Sequence, residues 1–296
     1  MYEDIIPLLR CPICKKSLKL KAQEIKNHEV ITGELLCSCP KAWKIRDSVL
    51  DFEVEEQEMV NRWSELTKDK TFEELDEIIL SQTPKNQIDL LNKAKDFIVQ
   101  NIDEKKPKFV LDIATGRGSL LNRLVQDLVD ESMNLICTDL SFTVLKADRE
   151  KILKLNPKIK VNFISCDATN LPINDNGIDL VVSFLGIANM EEKTLDGLKE
   201  AYRILKRENE LLNCILFIKK DTEGYNTLKA YYNSKGFHQI ESFLLKNEAM
   251  KVHSDVGFEQ AEFINIGESF GEKNDLDLLP FEGEWFQIGI VRALKS

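Results

Sequence analysis

The chain has 296 residues, 43% of them apolar and 30% charged, which is enough for about two domains and at least one sizeable core. The formal charge of −10 is unevenly placed: residues 51 to 100 hold 13 acids against 6 lysines and arginines, while residues 1 to 50 hold 9 basic against 6 acidic side chains. This balance excludes a broad basic surface for nucleic acid; no apolar run approaches the ~18 residues of a membrane span, and "MYEDIIPLLRCPIC" lacks a basic leader, so the expectation is a cytoplasmic globular protein.

The first element is a cysteine module. The chain has 7 cysteines, an odd count that speaks against a disulfide framework, and Cys11, Cys14, Cys37 and Cys39 fall near the start. Cys-x-x-Cys beside Pro12 is a knuckle pattern; Cys37-x-Cys39 is one residue tighter than the usual second half. Four thiolates are the donor set of a closed tetrahedral zinc site. They would also cancel part of the local positive charge. Between them "SLKLKAQEIKNHEVITGELLC" alternates around Gly33, and "AWKIRDSVLDF" follows, so residues 1–54 are expected to form a small β module. A module of that size buries too little to be secure alone, and a structural zinc can contribute on the order of 10 kcal/mol. The stretches "LLRCPICKKSLKL" and "GELLCSCPKAWKIRDSVLDF" resemble the small zinc-ribbon activators of tRNA, rRNA and release-factor methyltransferases, with Trp43 to Asp47 where those chains close on "Y-P-I-R-D".

Residues 55–105 are acidic, low in glycine and spaced for helices, which predicts a helical connector or lid. Thr83 and Pro84 fit an N-cap and a first-turn proline, with Ile88, Leu91, Ala94, Ile98 and Ile102 near one face. Trp63 is expected in the core or over a pocket. Residues 106–296 then alternate strand and helix. Strands are predicted at "KFVLDIA", "NLICTD", "KVNFISCD", "IDLVVSF" and "LLNCILFI", with helices near 118–128, 142–154, 193–206 and 224–235. Two final strands, "FEQAEFINIGESFG" and "EWFQIGIVRALK", have no helix between them. The expected fold is α/β: a Rossmann-like, mostly parallel, seven-stranded sheet closed by antiparallel C-terminal strands, preceded by the zinc ribbon and the connector.

The first of these strands ends at Asp112 and leads into a loop with Ala114, Thr115, Gly116 and Gly118. In an open α/β sheet ligands bind at such strand ends, where the strand order reverses. The dinucleotide pattern G-x-G-x-x-G fails, because Leu121 holds the third glycine position. Asp112 followed by small residues at every second position resembles the glycine-rich motif of class I S-adenosylmethionine-dependent methyltransferases, with Ala114 where glycine is commonest, as in some quinone-biosynthesis-type relatives. The resemblance continues in order. Asp139 ends the second strand 27 residues later and would take both ribose hydroxyls, and Leu140 would pack on adenine. "ISCDATNLPINDNGIDLVVSF" matches a stretch in which Asp167 accepts from the adenine amino group and Ala168 bonds through its backbone. Ser183 and Phe184 would lie near the methionine moiety and the acceptor, with Asn189 beyond. "LKEAYRILKRENELL" resembles the helix-turn before the fifth strand, with Arg207-Glu208-Asn209 replacing Pro-Gly-Gly.

The resemblance implies S-adenosylmethionine as cofactor. Its sulfonium already activates the methyl group, so the protein mainly binds and orients, and no dedicated catalytic residue is assigned. His28, His238 and His253 are scattered. Cys137, Cys166 and Cys214 read as buried small hydrophobes. Neither the N/D-P-P-Y/F motif of amine methylation nor a cytosine-attacking cysteine is present. Three acceptor classes fit: a small metabolite, favoured by the Ala114-type loop and the helical lid; RNA read by the ribbon; and a protein. A zinc-stabilised interaction protein with a non-catalytic donor site is the alternative to an enzyme. The sequence does not fix the oligomeric state.

Overall fold

A computed structural model describes residues 1–53, 70–128, 132–156 and 158–296. Trp63 lies outside the described residues, as do the connector positions 54–69.

The N-terminal strands β1 (Lys19–Lys26), β2 (Glu29–Leu36), β3 (Ala42–Arg46) and β4 (Val49–Asp51) form an antiparallel meander. Helices α1 (Phe72–Gln82) and α2 (Lys85–Lys105) follow. Then come β5 (Phe109–Ile113), α3 (Ser119–Asp127), β6 (Asn134–Asp139), α4 (Phe142–Leu155), β7 (Lys160–Ser165) and β8 (Ile178–Phe184). The chain finishes with α5 (Thr194–Ile204), β9 (Leu205–Ile218), α6 (Glu223–Ser234), α7 (Glu241–Leu244), α8 (Lys246–Val256), β10 (Gln260–Phe270) and β11 (Trp285–Lys295).

One sheet of eleven strands carries everything, in the order β1-β2-β3-β4-β7-β6-β5-β8-β9-β11-β10. Its last seven are the expected sheet: β7, β6, β5, β8 and β9 run parallel, and β11 is antiparallel between β9 and β10. The addition is at the other edge. β4 pairs in parallel with β7, Val49 opposite Phe163 and Asp51 opposite Ser165, so the cysteine module lengthens the sheet. All five residues of β5 are buried, because helices cover both faces and leave no side for polar alternation. On one face Met1, Ile5, Trp43 and Leu50 of the module share a core with Ile136, Ile164 and Ile215. On the other, Ala94 and Ile98 of α2 pack with Leu121, Leu124 and Leu145.

Local chemistry fixes the helix ends. Thr71 and Glu74 form a reciprocal capping box at the start of α1. The Thr83-Pro84 expectation is corrected: the Thr83 hydroxyl donates back to the Ile79 carbonyl at 2.7 Å and closes α1, and Pro84 precedes the first turn of α2 without capping it. Helix α5 does precede β9, but Arg207-Glu208-Asn209 lie inside the strand: Ile178 of β8 pairs with Leu205 and Leu180 with Glu210, which leaves an irregularity on the β8 side with Glu208 at φ 62°, while Asn209 pairs with Lys295 of β11. Helices α7 and α8 lie in a stretch to which the sequence assigned no element; α8 buries only Ala249 and His253, too few apolar positions to signal a face. Among the described residues no helix is long and apolar enough to cross a membrane.

Candidate functional site

The loop after β5 sits where the strand order reverses, between β6 on one side and β8 on the other. Ala114, Gly116 and Gly118 all take left-handed backbone, with φ of 54°, 57° and 67°. A Cβ on Gly116 would meet nothing within 4 Å, so this residue faces open space, whereas one on Gly118 would lie 3.0 Å from the Asp148 carboxylate. Ala114 holds the same strained conformation with a methyl group in place. Ala114→Gly is therefore expected to stabilise the protein by about 1 kcal/mol in urea unfolding, since it relieves a left-handed alanine at the cost of unfolded-state entropy.

Gly186 is a partner that sequence reasoning missed. A Cβ there would come within 2.5 Å of the Ile113 carbonyl oxygen and 2.6 Å of that of Ala114, so glycine alone lets the loop after β8 lie against the loop after β5. Its signal was a glycine directly after the fourth strand, in "SFLGIANM".

Two acids flank the loop. Asp112 is 4% exposed, and among the described residues its Oδ1 has no hydrogen-bond partner. Burial pushes its carboxyl up to about 7, with the Asp139 charge adding to the rise and a Thr115 hydrogen bond opposing it. Asp139, at the end of β6, accepts from the Gly116 N–H at 2.9 Å through Oδ2 and from the Ser141 N–H at 3.1 Å through Oδ1. Burial raises its carboxyl too, against the pull of those amides. A carboxylate has about four lone-pair directions, so two remain for a ligand.

The remaining expected contacts divide. Leu140 is half-buried beside Asp139, and its carbonyl accepts from the Ser165 hydroxyl at 3.0 Å. Asp167 accepts from both the N–H and the hydroxyl of Thr169 at 2.8 Å, which shapes the turn carrying Ala168. Phe184 is half-buried, with the Lys95 ammonium 5.4 Å from its ring centre. Burial lowers the Lys95 pKa, as does the nearby Arg123 charge. Ser183 is fully buried at the end of β8; its hydroxyl donates to the Ile113 carbonyl at 3.3 Å and accepts from the Ile187 N–H at 2.8 Å, so it braces the loop after β5. His28 and His238 are exposed; His253 is buried, hydrogen-bonded to the Ala249 carbonyl and Asn213, far along the chain from the loop.

Helix α1 is tied across the glycine loop, a contact the sequence did not signal. Arg117 donates to the Phe72 carbonyl at 2.6 Å and to Asp76 at 2.7 Å, and Lys151 of α4 donates to Asp76 at 2.8 Å. Asp148 lies beneath, 6% exposed, with one carboxylate oxygen unpartnered among the described residues. Burial pushes its carboxyl up to about 8, against the attraction of Lys151 and Arg117 and with repulsion from Asp76 and Asp139. An acid whose pKa rises on folding keeps its proton in the folded state alone across the interval between the two pKa values. Stability must then fall as pH rises from about 4 to about 8, and level off above. Asp148→Asn is expected to exceed wild type in stability by up to a few kcal/mol at pH 8, with the gap closing toward pH 5; thermal unfolding at the two pH values measures it.

At the far end of the sheet, the sulfur atoms of Cys11, Cys14, Cys37 and Cys39 all lie within 4.8 Å of one another, with Cys14 to Cys37 at 3.2 Å and Cys11 to Cys39 at 3.9 Å. A zinc tetrahedron with Zn–S of about 2.3 Å has edges of about 3.8 Å. For Cys11, burial raises the thiol pKa, but amide N–H groups of Cys14 and Ile13 and the neighbouring thiols outweigh it and bring the value down to about 7, toward the thiolate a metal needs.

The residues fit a nucleoside with a cationic tail: a glycine facing open space, an orphaned buried carboxylate oxygen, and an acid with free lone pairs at the next strand end. Residues 86–266 match the ubiE/COQ5 methyltransferase family. A ubiquinone/menaquinone biosynthesis C-methyltransferase of Pseudoalteromonas translucida is 30% identical over 180 residues, 55% of this chain and 70% of its own. The enzyme of the same name from Citrobacter koseri is 28% identical over 193 residues, 58% of this chain and 74% of its own. Among solved structures, an arsenic(III) S-adenosylmethionine methyltransferase from Chlamydomonas reinhardtii superposes with a TM-score of 0.48 at 21% identity, over 64% of this chain and 63% of that one. The family match spans more than half of the sequence and includes the loop, both acids and the parallel strands around them: the chain belongs to the ubiE/COQ5 family and is an S-adenosylmethionine-dependent methyltransferase.

Proposed function

We propose that the chain transfers the methyl group of S-adenosylmethionine to a carbon of a small hydroxylated aromatic acceptor of the quinol type. The observation that carries the choice of a small acceptor is α1, held beside the donor loop by Arg117 donating to the Phe72 carbonyl and Asp76, where a helix could wall a pocket sized for a small ligand. The names of the relatives support the quinol class. The cysteine module lies beyond β7, at the opposite side of β5 from β8 and β9, where an acceptor would meet the methyl group; that placement disfavours RNA or protein recognition by the ribbon.

S-adenosylmethionine, when bound, supplies a methyl group already activated by its sulfonium. The chain's residues then bind and orient. Asp139 would hold the ribose hydroxyls, Asp167 and the Ala168 backbone the adenine edge, and the Gly116 backbone would allow close approach. Asp112 would face the positive charge of the tail. Phe184, with Lys95 over its ring, would form the acceptor wall, and an amine there favours an acceptor with an ionisable hydroxyl. Cys11, Cys14, Cys37 and Cys39 would hold a structural zinc in a ribbon-like module.

Incubation with methyl-labelled S-adenosylmethionine and a cell extract, followed by separation into organic-soluble, RNA and protein fractions, tests the reading. Label is expected in the organic-soluble fraction. Label in RNA or protein instead would refute the small acceptor.

A further inference from the structure

The two turns expected to hold adenine are both fastened to the cysteine module. The turn after β7 runs from Asp167 to Asn170, closed by the Asn170 N–H donating to the Asp167 carbonyl at 3.0 Å. The Asn170 side chain donates to the Pro12 carbonyl inside the Cys11–Cys14 knuckle at 3.3 Å and accepts from Lys15. Farther along, the Arg10 N–H donates to the Pro172 carbonyl at 2.9 Å and the Asn174 N–H to the Leu8 carbonyl at 2.7 Å. The turn after β6, which carries Asp139 and Leu140, leads into Phe142; the Arg46 guanidinium of β3 lies 4.3 Å from that ring's centre and pairs with Asp51 at the end of β4.

Against the first of these fastenings, lined by both Pro12 and Asn170, is a cleft of about 290 Å³. Its walls come from both parts: Ile13, Trp43 and Phe52 from the module, and Cys166, Asp167 and Asn170 from the turn after β7. Trp43 and Phe52 pack with ring centres 5.1 Å apart, and Ile13 is 60% exposed at the knuckle's tip although large and apolar. The cleft is thus partly aromatic and bordered by a carboxylate that can accept from an exocyclic amine.

We propose that this cleft receives the amino edge of the donor's adenine, and that the cysteine module serves as wall and brace of the donor site. The inference rests on the donor-site reading above and extends it: adenine affinity depends on residues of the module, which stand outside the sequence matched to the family. The brace acts through two positioning residues. Asn170 sets the Asp167–Ala168 turn, and Arg46 sets the Leu140–Phe142 turn.

Calorimetry with S-adenosylhomocysteine on the full-length protein tests this, with wild type, Asp139→Ala, Asn170→Ala, Arg46→Ala and Ile13→Ala compared. Each of the last three is expected to weaken binding about five- to twentyfold, and to weaken methylthioadenosine, which has the adenosine half but no amino-acid tail, by the same factor. Ile13→Ala alters an exposed tip and guards against a folding defect in the other two. In a protein with Trp63→Phe and Trp285→Phe, the fluorescence of Trp43 is expected to change on addition of S-adenosylhomocysteine. If wild type binds, Asp139→Ala does not, and all three module or turn variants bind within twofold of wild type with Trp43 silent, the donor reading stands and the brace is overturned. If wild type itself binds no S-adenosylhomocysteine, the donor reading fails and takes the brace with it.

Discussion

Asp139→Ala is expected to weaken S-adenosylhomocysteine binding at least about a hundredfold in calorimetry, because two charge-assisted hydrogen bonds to ribose hydroxyls, each about 1.5–3 kcal/mol, vanish together. A second loss adds to the first. The Asp139 carboxylate also accepts from the N–H groups of Gly116 and Ser141, so its removal frees the glycine loop from the end of β6 as well as removing the ligand contact. Asp139→Asn separates the two effects: its one carbonyl oxygen can keep a single amide partner, and its binding should fall between wild type and the alanine variant. Equal affinity in all three proteins would mean that the ribose lies elsewhere.

Removal of the metal is the other large effect. Elemental analysis of the purified protein is expected to find one zinc per chain, and chelation to lower the thermal midpoint by about 10 °C or more, since structural zinc sites contribute several kcal/mol or more to the folding of small modules. The loss should fall short of complete unfolding. Met1, Ile5, Trp43 and Leu50 pack on the same core as Ile136 and Ile164, so the module's hairpins keep an apolar partner even when the thiolates lose theirs. A midpoint unmoved by chelation, in protein shown to contain no metal, would leave four reduced cysteines and no zinc site.

Much of the fold was legible because its signals were local. β6 and β8 were read to the residue from "NLICTD" and "IDLVVSF": short, mostly apolar runs rich in branched side chains, bounded by turn residues, mark strands buried on both faces. The four cysteines converge although Cys37-x-Cys39 is one residue tighter than the usual second half. What the sequence could not carry was pairing between distant elements. Nothing in "SVLD" says that β4 will lie parallel to β7 rather than end a separate module, because the partner is more than a hundred residues away. Arg117 gave no sign of reaching back to Asp76, and Gly186 looked like any loop glycine until the Ile113 and Ala114 carbonyls came within 3 Å of where its side chain would start. The Ser183 hydroxyl is a related case: a serine at a strand end is polar in sequence, and only the fold shows it spanning the Ile113 carbonyl and the Ile187 N–H.

The parallel pairing of β4 with β7 also settles where the sheet presents unpaired backbone. Without residues 1–53, β7 would end the sheet, and the backbone groups of Phe163 to Ser165 that pair with β4 would be free along one side, a template for another chain. The full chain moves that boundary to β1, where Lys19, Lys21, Glu24 and Lys26 are charged and two register shifts break the ladder near Ala22 and Glu24. Charged and irregular strands pair poorly with strangers. The four N-terminal strands are therefore expected to limit aggregation, and a protein lacking residues 1–53 is expected to be less soluble than the full chain.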